Sequence, residues 1–139
     1  MLSPKQLKQA QRGAVQQQEI IGQLQGIAKD IARSEKVIID LKVQLETVNA
    51  QYQEPRTTRQ DVDYLSALLD CAKKKLAWEK QLASVQKRAP ALLEQMMRVM
   101  NDPHAPPDEP TRAELLRSLK EVQAAMERLT AAQVGGRQG

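Results

Sequence analysis

From Ile20 to Tyr52, apolar residues recur at alternating intervals of four and three: Ile20, Leu24, Ile27, Ile31, Ser34, Ile38, Leu41, Leu45, Val48 and Tyr52. Ser34 is the one interruption. A period of 3.5 residues keeps a single stripe on one side of a helix, so a chain that sustains it is a long helix packed along another helix. Leu24, Ile31, Ile38, Leu45 and Tyr52 take one core position of the heptad; Ile20, Ile27, Ser34, Leu41 and Val48 take the other.

The first helix extends upstream to Ser3-Pro4. Ser3 suits the N-cap, and Pro4 suits the first helical position, where a missing N–H does no harm. Residues 4–19 are rich in glutamine and carry Gly13. Leu7, Ala10, Ala14 and Val15 give this part only a thin apolar pattern. Pro55 ends the helix, so residues 53–57 read as a turn between a helix at about 4–52 and a second at about 58–100. Thr58 with Asp61, or alternatively Thr57 with Gln60, caps the second helix. Val62, Leu65, Leu69, Ala72 and Leu76 supply its seam. The phase slips near Trp78 and resumes as Trp78, Leu82, Val85, Ala89, Leu92, Met96 and Val99. Pro90 predicts a break. Residues 91–100 carry large apolar groups on more than one stripe, which calls for more than one neighbour.

Residues 102–110 hold four prolines and form a linker. Residues 111–134 make a third helix, capped by Thr111 with Glu114 or by Asp108. Its seam is Leu115, Leu119, Val122, Met126 and Leu129. The tail, 135–139, reads as flexible. At the rise of an α-helix the first two helices are roughly 70 and 65 Å long and the third roughly 35 Å. Near-equal arms around a short turn predict an all-α fold: residues 1–101 form a long antiparallel hairpin or coiled coil, and the shorter third helix packs near its open end. There it folds over residues 4–19 and the Met-rich end of helix two.

Composition agrees with narrow helical seams. Aromatic residues are 2% of the chain and Phe is absent, although hydrophobic residues make up 41%. The net charge is +4, with both signs interspersed along the helices, the usual pattern of solvated faces. Mean hydropathy is −0.55, and no apolar run approaches the length of a membrane span. With one cysteine and no apolar leader at the N-terminus, a cytosolic, cytoskeletal or nuclear location is the default expectation.

No catalytic, cofactor-binding or metal-binding constellation emerges. Cys71 sits beside the seam with no second cysteine or histidine to activate it. His104, the single histidine, lies in the linker without metal-ligand spacing. No phosphate-binding glycine motif is present. The expectation is therefore a non-enzymatic scaffold or adaptor, a small subunit of a multiprotein assembly, with cytoskeletal and centrosomal assemblies as candidate hosts. Its partners are other helical chains, a hetero-oligomer being favoured over a homo-oligomer. Ile21, Val37, Ile39 and Val43 lie outside the seam and widen the sticky face of helix one; with Met97 and Met100 they are the candidate partner-binding residues. Leu65–Leu76 is expected to lie opposite them. The alternative is electrostatic binding of nucleic acid or another polyanion through Lys73, Lys74, Lys75, Lys80, Lys87 and Arg88. The scarcity of stacking aromatics weighs against a single-stranded ligand.

Overall fold

A computed structural model describes residues 2–134, and the tail at 135–139 lies outside them. The chain is all-α: α1 (Pro4–Gln51), α2 (Thr58–Met100) and α3 (Glu109–Val134). Each start is fixed by a side chain that satisfies otherwise orphaned backbone N–H groups. Ser3 Oγ accepts from the Gln6 N–H at 3.2 Å while Gln6 Oε1 accepts from the Ser3 N–H at 2.9 Å, a reciprocal capping box. Thr57 and Gln60 form the same box on α2. It is formed there, and not by Thr58 with Asp61, because Arg56 engages Asp61 at 2.7 Å. Asp108 Oδ1 accepts from the Thr111 N–H at 2.8 Å, so α3 begins at Glu109, two residues before the expected start.

The α1 seam is buried or half-buried throughout, from Ile20 to Tyr52, and continues upstream through Ala10, Gly13 and Gln17. What packs on it differs from a simple hairpin with a third helix at its open end. α1 lies between two neighbours and makes extensive interfaces with both α2 and α3, whereas α2 and α3 share no comparable interface. The result is a packed three-helix bundle with α1 at its centre. α2 runs antiparallel to α1: Tyr64 pairs with Asn49, Lys74 with Gln44, and Arg88 with Asp30. α3 runs parallel to α1, with Arg128 near Glu35 and Lys42 donating to the carbonyls of Ala132 and Gln133. α3 thus lies along the central heptads of α1 and not over residues 4–19. Only the linker reaches that far. Ala105 is buried against Gly13, and its carbonyl accepts from Gln17 Nε2 at 3.1 Å.

α3 is accommodated by a second row on α1, Ile21, Ala28, Glu35 and Lys42, seven residues apart and each buried or half-buried. α3 turns Leu115, Ser118, Val122, Ala125 and Leu129 inward. Ser118 and Ala125 are small, which allows close approach. Leu119 and Met126, expected in the seam, are only half-buried on its flank.

On α2 the inner row is Tyr64, Leu68, Cys71, Lys75, Trp78, Leu82, Val85, Ala89, Leu92, Met96 and Val99. It alternates by four and three over its whole length, with no phase slip. Its best-covered members are Cys71, Trp78, Val85, Leu92, Met96 and Val99. Trp78 fits because Ser34 stands opposite. The indole Nε1–H donates to the Ser34 carbonyl at 2.8 Å, and Ser34 is fully buried. The one polar interruption of the α1 seam is thus the space for the one tryptophan. The helix passes through Pro90 without a break, held to α1 on either side by Val85 and Leu92.

The turn at the far end is clasped by Arg56, which lies over the Tyr64 ring at 4.4 Å and donates to the Tyr52 carbonyl. Its hydrogen bond to Asp61 raises the guanidinium above its already high pKa. The accessible surface is 10,032 Å². A compact monomer of 15.6 kDa would expose about 7,300 Å². The surplus reflects an elongated molecule whose α1–α2 prong continues beyond the end of α3.

Candidate functional site: an uncovered face of α2

Val62, Leu65, Leu69, Ala72 and Leu76 do not face α1. Val62 is 61% exposed, Leu65 62%, Leu69 55% and Leu76 53%, while their neighbours Leu68 and Cys71 are turned inward. The spacing places them on one line, roughly 115° around α2 from the inner row. The same four-three phase continues through Ala83, Pro90, Leu93, Met97 and Met100, with Glu79 and Gln86 as polar interruptions. α2 therefore carries two apolar rows, of which the described residues cover one. The four exposed large residues at the prong present roughly 400 Å² of apolar surface, in the range of patches that mark interaction sites.

Toward the centre of the molecule this row becomes one wall of a groove. Because α2 and α3 do not close against each other, a cavity of 700 Å³ opens between them. Its floor is Leu24, Ile27 and Ile31 of α1. Its walls include Ala89, Pro90 and Leu93 of α2 and Leu119, Gln123, Met126 and Glu127 of α3. In helix-bundle terms this is the position of a fourth helix. The exposed Leu116 lies on the same side of α3 by its spacing from Leu119 and Gln123.

The residues singled out from sequence fall in several places. Ile21 is buried at 3% exposure, in the row that serves α3. Val37 is half-buried against the core. Ile39 and Val43 are exposed. Helical spacing puts them on the far side of α3 from the groove. Met97 is exposed on the α2 outer row, while Met100 is half-buried at its end. Leu65–Leu76, expected to cover the α1 face, are themselves the uncovered surface. What the sequence reading missed is that α2 has two rows in heptad phase, readable as residues 62–100 and 64–99 of one helix.

The basic residues also separate. Lys74 donates to Gln44 at 2.8 Å and Arg88 pairs with Asp30 at 3.0 Å, so both lean toward α1. Lys73, Lys75, Lys80 and Lys87 are exposed and take part in no ion pair among the described residues.

Cys71 is buried in the inner row. His104 is exposed in the linker, its N–H donating to Asp102 Oδ1 at 2.8 Å in a local turn. Among the described residues no group of His, Cys, Asp and Glu is arranged to hold a metal ion, and no helix is long and apolar enough to cross a membrane. Comparison with known protein families, with characterised proteins and with solved structures finds no match.

Proposed function

We propose that the protein is a non-enzymatic helical scaffold or adaptor, a small subunit of a multiprotein assembly, and that it works by accepting a helix from another chain. The observation that carries this reading is the outer row of α2, apolar in heptad phase and uncovered, running into the open groove between α2 and α3. A face built of leucines at helix-packing spacing is a preformed half of a helix–helix interface. Cytosolic or cytoskeletal assemblies, centrosomal ones included, are the proposed hosts, because a rigid rod of about 70 Å suits a spacer.

The test is sedimentation of extracts from cells expressing the full chain. The wild-type protein should travel in a species much larger than its own 15.6 kDa. The triple substitution Leu65→Asn, Leu69→Asn, Leu76→Asn should return it to monomer size while the purified variant keeps its helical circular dichroism and a cooperative melt, lowered only by the weaker helix propensity of asparagine. Wild-type protein sedimenting as a monomer rejects the reading.

The second reading, a polyanion binder through Lys73, Lys74, Lys75, Lys80, Lys87 and Arg88, has support from the line of exposed lysines at positions 73, 80 and 87. It is weakened by the engagement of Lys74 and Arg88 with α1. Steeply salt-dependent binding to duplex DNA would favour it.

A further inference from the structure

The exposed lysines and the exposed leucines belong to one surface. Taking Val62 and Leu65 as the two core positions of the outer heptad, Arg59, Ser66, Lys73, Lys80 and Lys87 all fall on the edge just beyond it, seven residues apart. No acid stands on that edge until Glu94. Lys75 lies on the opposite edge, and the one carboxylate within the row over residues 62–90 is Glu79. In a packed helix pair these edge positions meet the edges of the partner and decide which partner is accepted.

We infer, building on the docking reading above, that the occupant is a helix of a different protein with an apolar heptad seam and a glutamate- or aspartate-rich edge. That edge lies along Lys73, Lys80 and Lys87. A second copy of this chain is disfavoured by the same charges. Antiparallel pairing centred on the exposed part of the row sets the basic edge against itself. Parallel pairing sets Lys75 against Lys80 of the other copy. Like charges so placed repel, whereas carboxylates there attract and steer the approach. Glu127 stands on the α3 wall of the groove. The partner is therefore acidic on one edge only at that level, which fixes its rotation about its own axis.

The test uses the full chain and two four-heptad peptides. Both carry Leu and Ile at the core positions; one has Glu at the flanking positions and the other Lys. Each peptide repels itself and so stays free to pair. By fluorescence anisotropy the Glu peptide should bind roughly tenfold to a hundredfold more tightly at low salt, from three edge positions each changing from attraction to repulsion. The gap should narrow as salt rises. The triple reversal Lys73→Glu, Lys80→Glu, Lys87→Glu should invert the preference. These side chains are solvent-facing, so the variant should melt as the wild type does. Leu69→Asn should weaken both peptides.

Equal binding of the two peptides, with sensitivity to Leu69→Asn, overturns the acidic-edge inference and leaves the docking reading intact. Binding of neither, or binding of both untouched by Leu69→Asn, overturns both. A dimer of the protein alone that Leu69→Asn dissolves makes a second copy the occupant. Tighter binding to phosphatidylserine vesicles or duplex DNA than to the Glu peptide makes the lysine edge a polyanion site.

Discussion

Trp78 and Ser34 join α1 to α2 near the middle of their interface, and the substitution Trp78→Phe tests that junction. The change removes one hydrogen bond, from Nε1 to the Ser34 carbonyl at 2.8 Å, and part of a buried ring. The loss of a net hydrogen bond costs about 1 kcal/mol. The carbonyl keeps the option of its own helix bond, so it is not left bare. The missing volume, roughly 40 Å³ if the site does not collapse, costs about another 1 kcal/mol. The total is about 2 kcal/mol, which for a chain of this length lowers the melting temperature by roughly 6–10 °C. Thermal and urea melts followed by far-UV circular dichroism, at fixed protein concentration, measure it. The urea slope should not change, since the same surface is exposed on unfolding.

Ser34→Ala provides the contrast. Ser34 Oγ is buried without a hydrogen-bond partner, so its removal deletes an unsatisfied group and should leave stability unchanged or raise it by up to about 1 kcal/mol. If Trp78→Phe melts like the wild type, or Ser34→Ala loses as much as Trp78→Phe, then the tryptophan does not sit against the Ser34 backbone as described.

Three further outcomes are expected. A Cβ at Gly13 would clash with the Ala105 Cβ, whereas one at Gly22 or Gly26 would meet nothing within 4 Å; Gly13→Ala should lower stability, and Gly22→Ala and Gly26→Ala should each raise it by about 1 kcal/mol in urea melts. Lys42 donates to the last carbonyls of α3, so Lys42→Met should cost about 0.5–1 kcal/mol and speed amide exchange in the final turn, near Leu129–Val134. Hydrogen bonds from Thr111, its side chain first and its backbone N–H second, hold the Asp108 carboxyl below the usual aspartate range. A pKa lower in the folded state means stability that is present above the unfolded value and lost as the pH falls through the folded one. Acid titration of the melting temperature should therefore steepen below about pH 4 in wild type and be flatter in Asp108→Asn.

Much of the fold could be read from periodicity and caps, because both are local. The α1 seam could be identified from residues 20–52 alone. Ser3, Pro4 and Pro55 marked where α1 begins and ends, since capping and proline geometry depend on a few neighbouring atoms. The position of α3 could not be read. Nothing local says that Ile21, Ala28, Glu35 and Lys42 should be covered. That row mixes an isoleucine, an alanine and two charged residues, and it works only because Ser118 and Ala125 approach closely while Lys42 reaches the end of α3. Likewise Gly13 looked like a weak point in a helix; its use is the approach of Ala105, a contact between residues ninety-two apart in sequence.

The reversal on α2 matters most for function. Over residues 62–76 the more hydrophobic row is Val62, Leu65, Leu69, Ala72 and Leu76, and a reading by hydrophobicity assigns it to the core. The fold instead turns Tyr64 and Leu68 inward to half-burial and buries Cys71 and, farther on, Trp78, in a row that includes the exposed Lys75. The covered row is sufficient because it bonds as well as packs: Tyr64 reaches Asn49, Arg56 lies over Tyr64, and the Trp78 indole holds the Ser34 carbonyl. The bundle is thus closed without the leucines. A row of leucines and a valine that internal packing does not require, at the spacing that helix partners require, exposes the chain to aggregation unless something covers it. The disagreement between the more hydrophobic row and the buried row is therefore the strongest functional signal in the molecule, and it lies on α2 and not on the α1 seam that directs the fold.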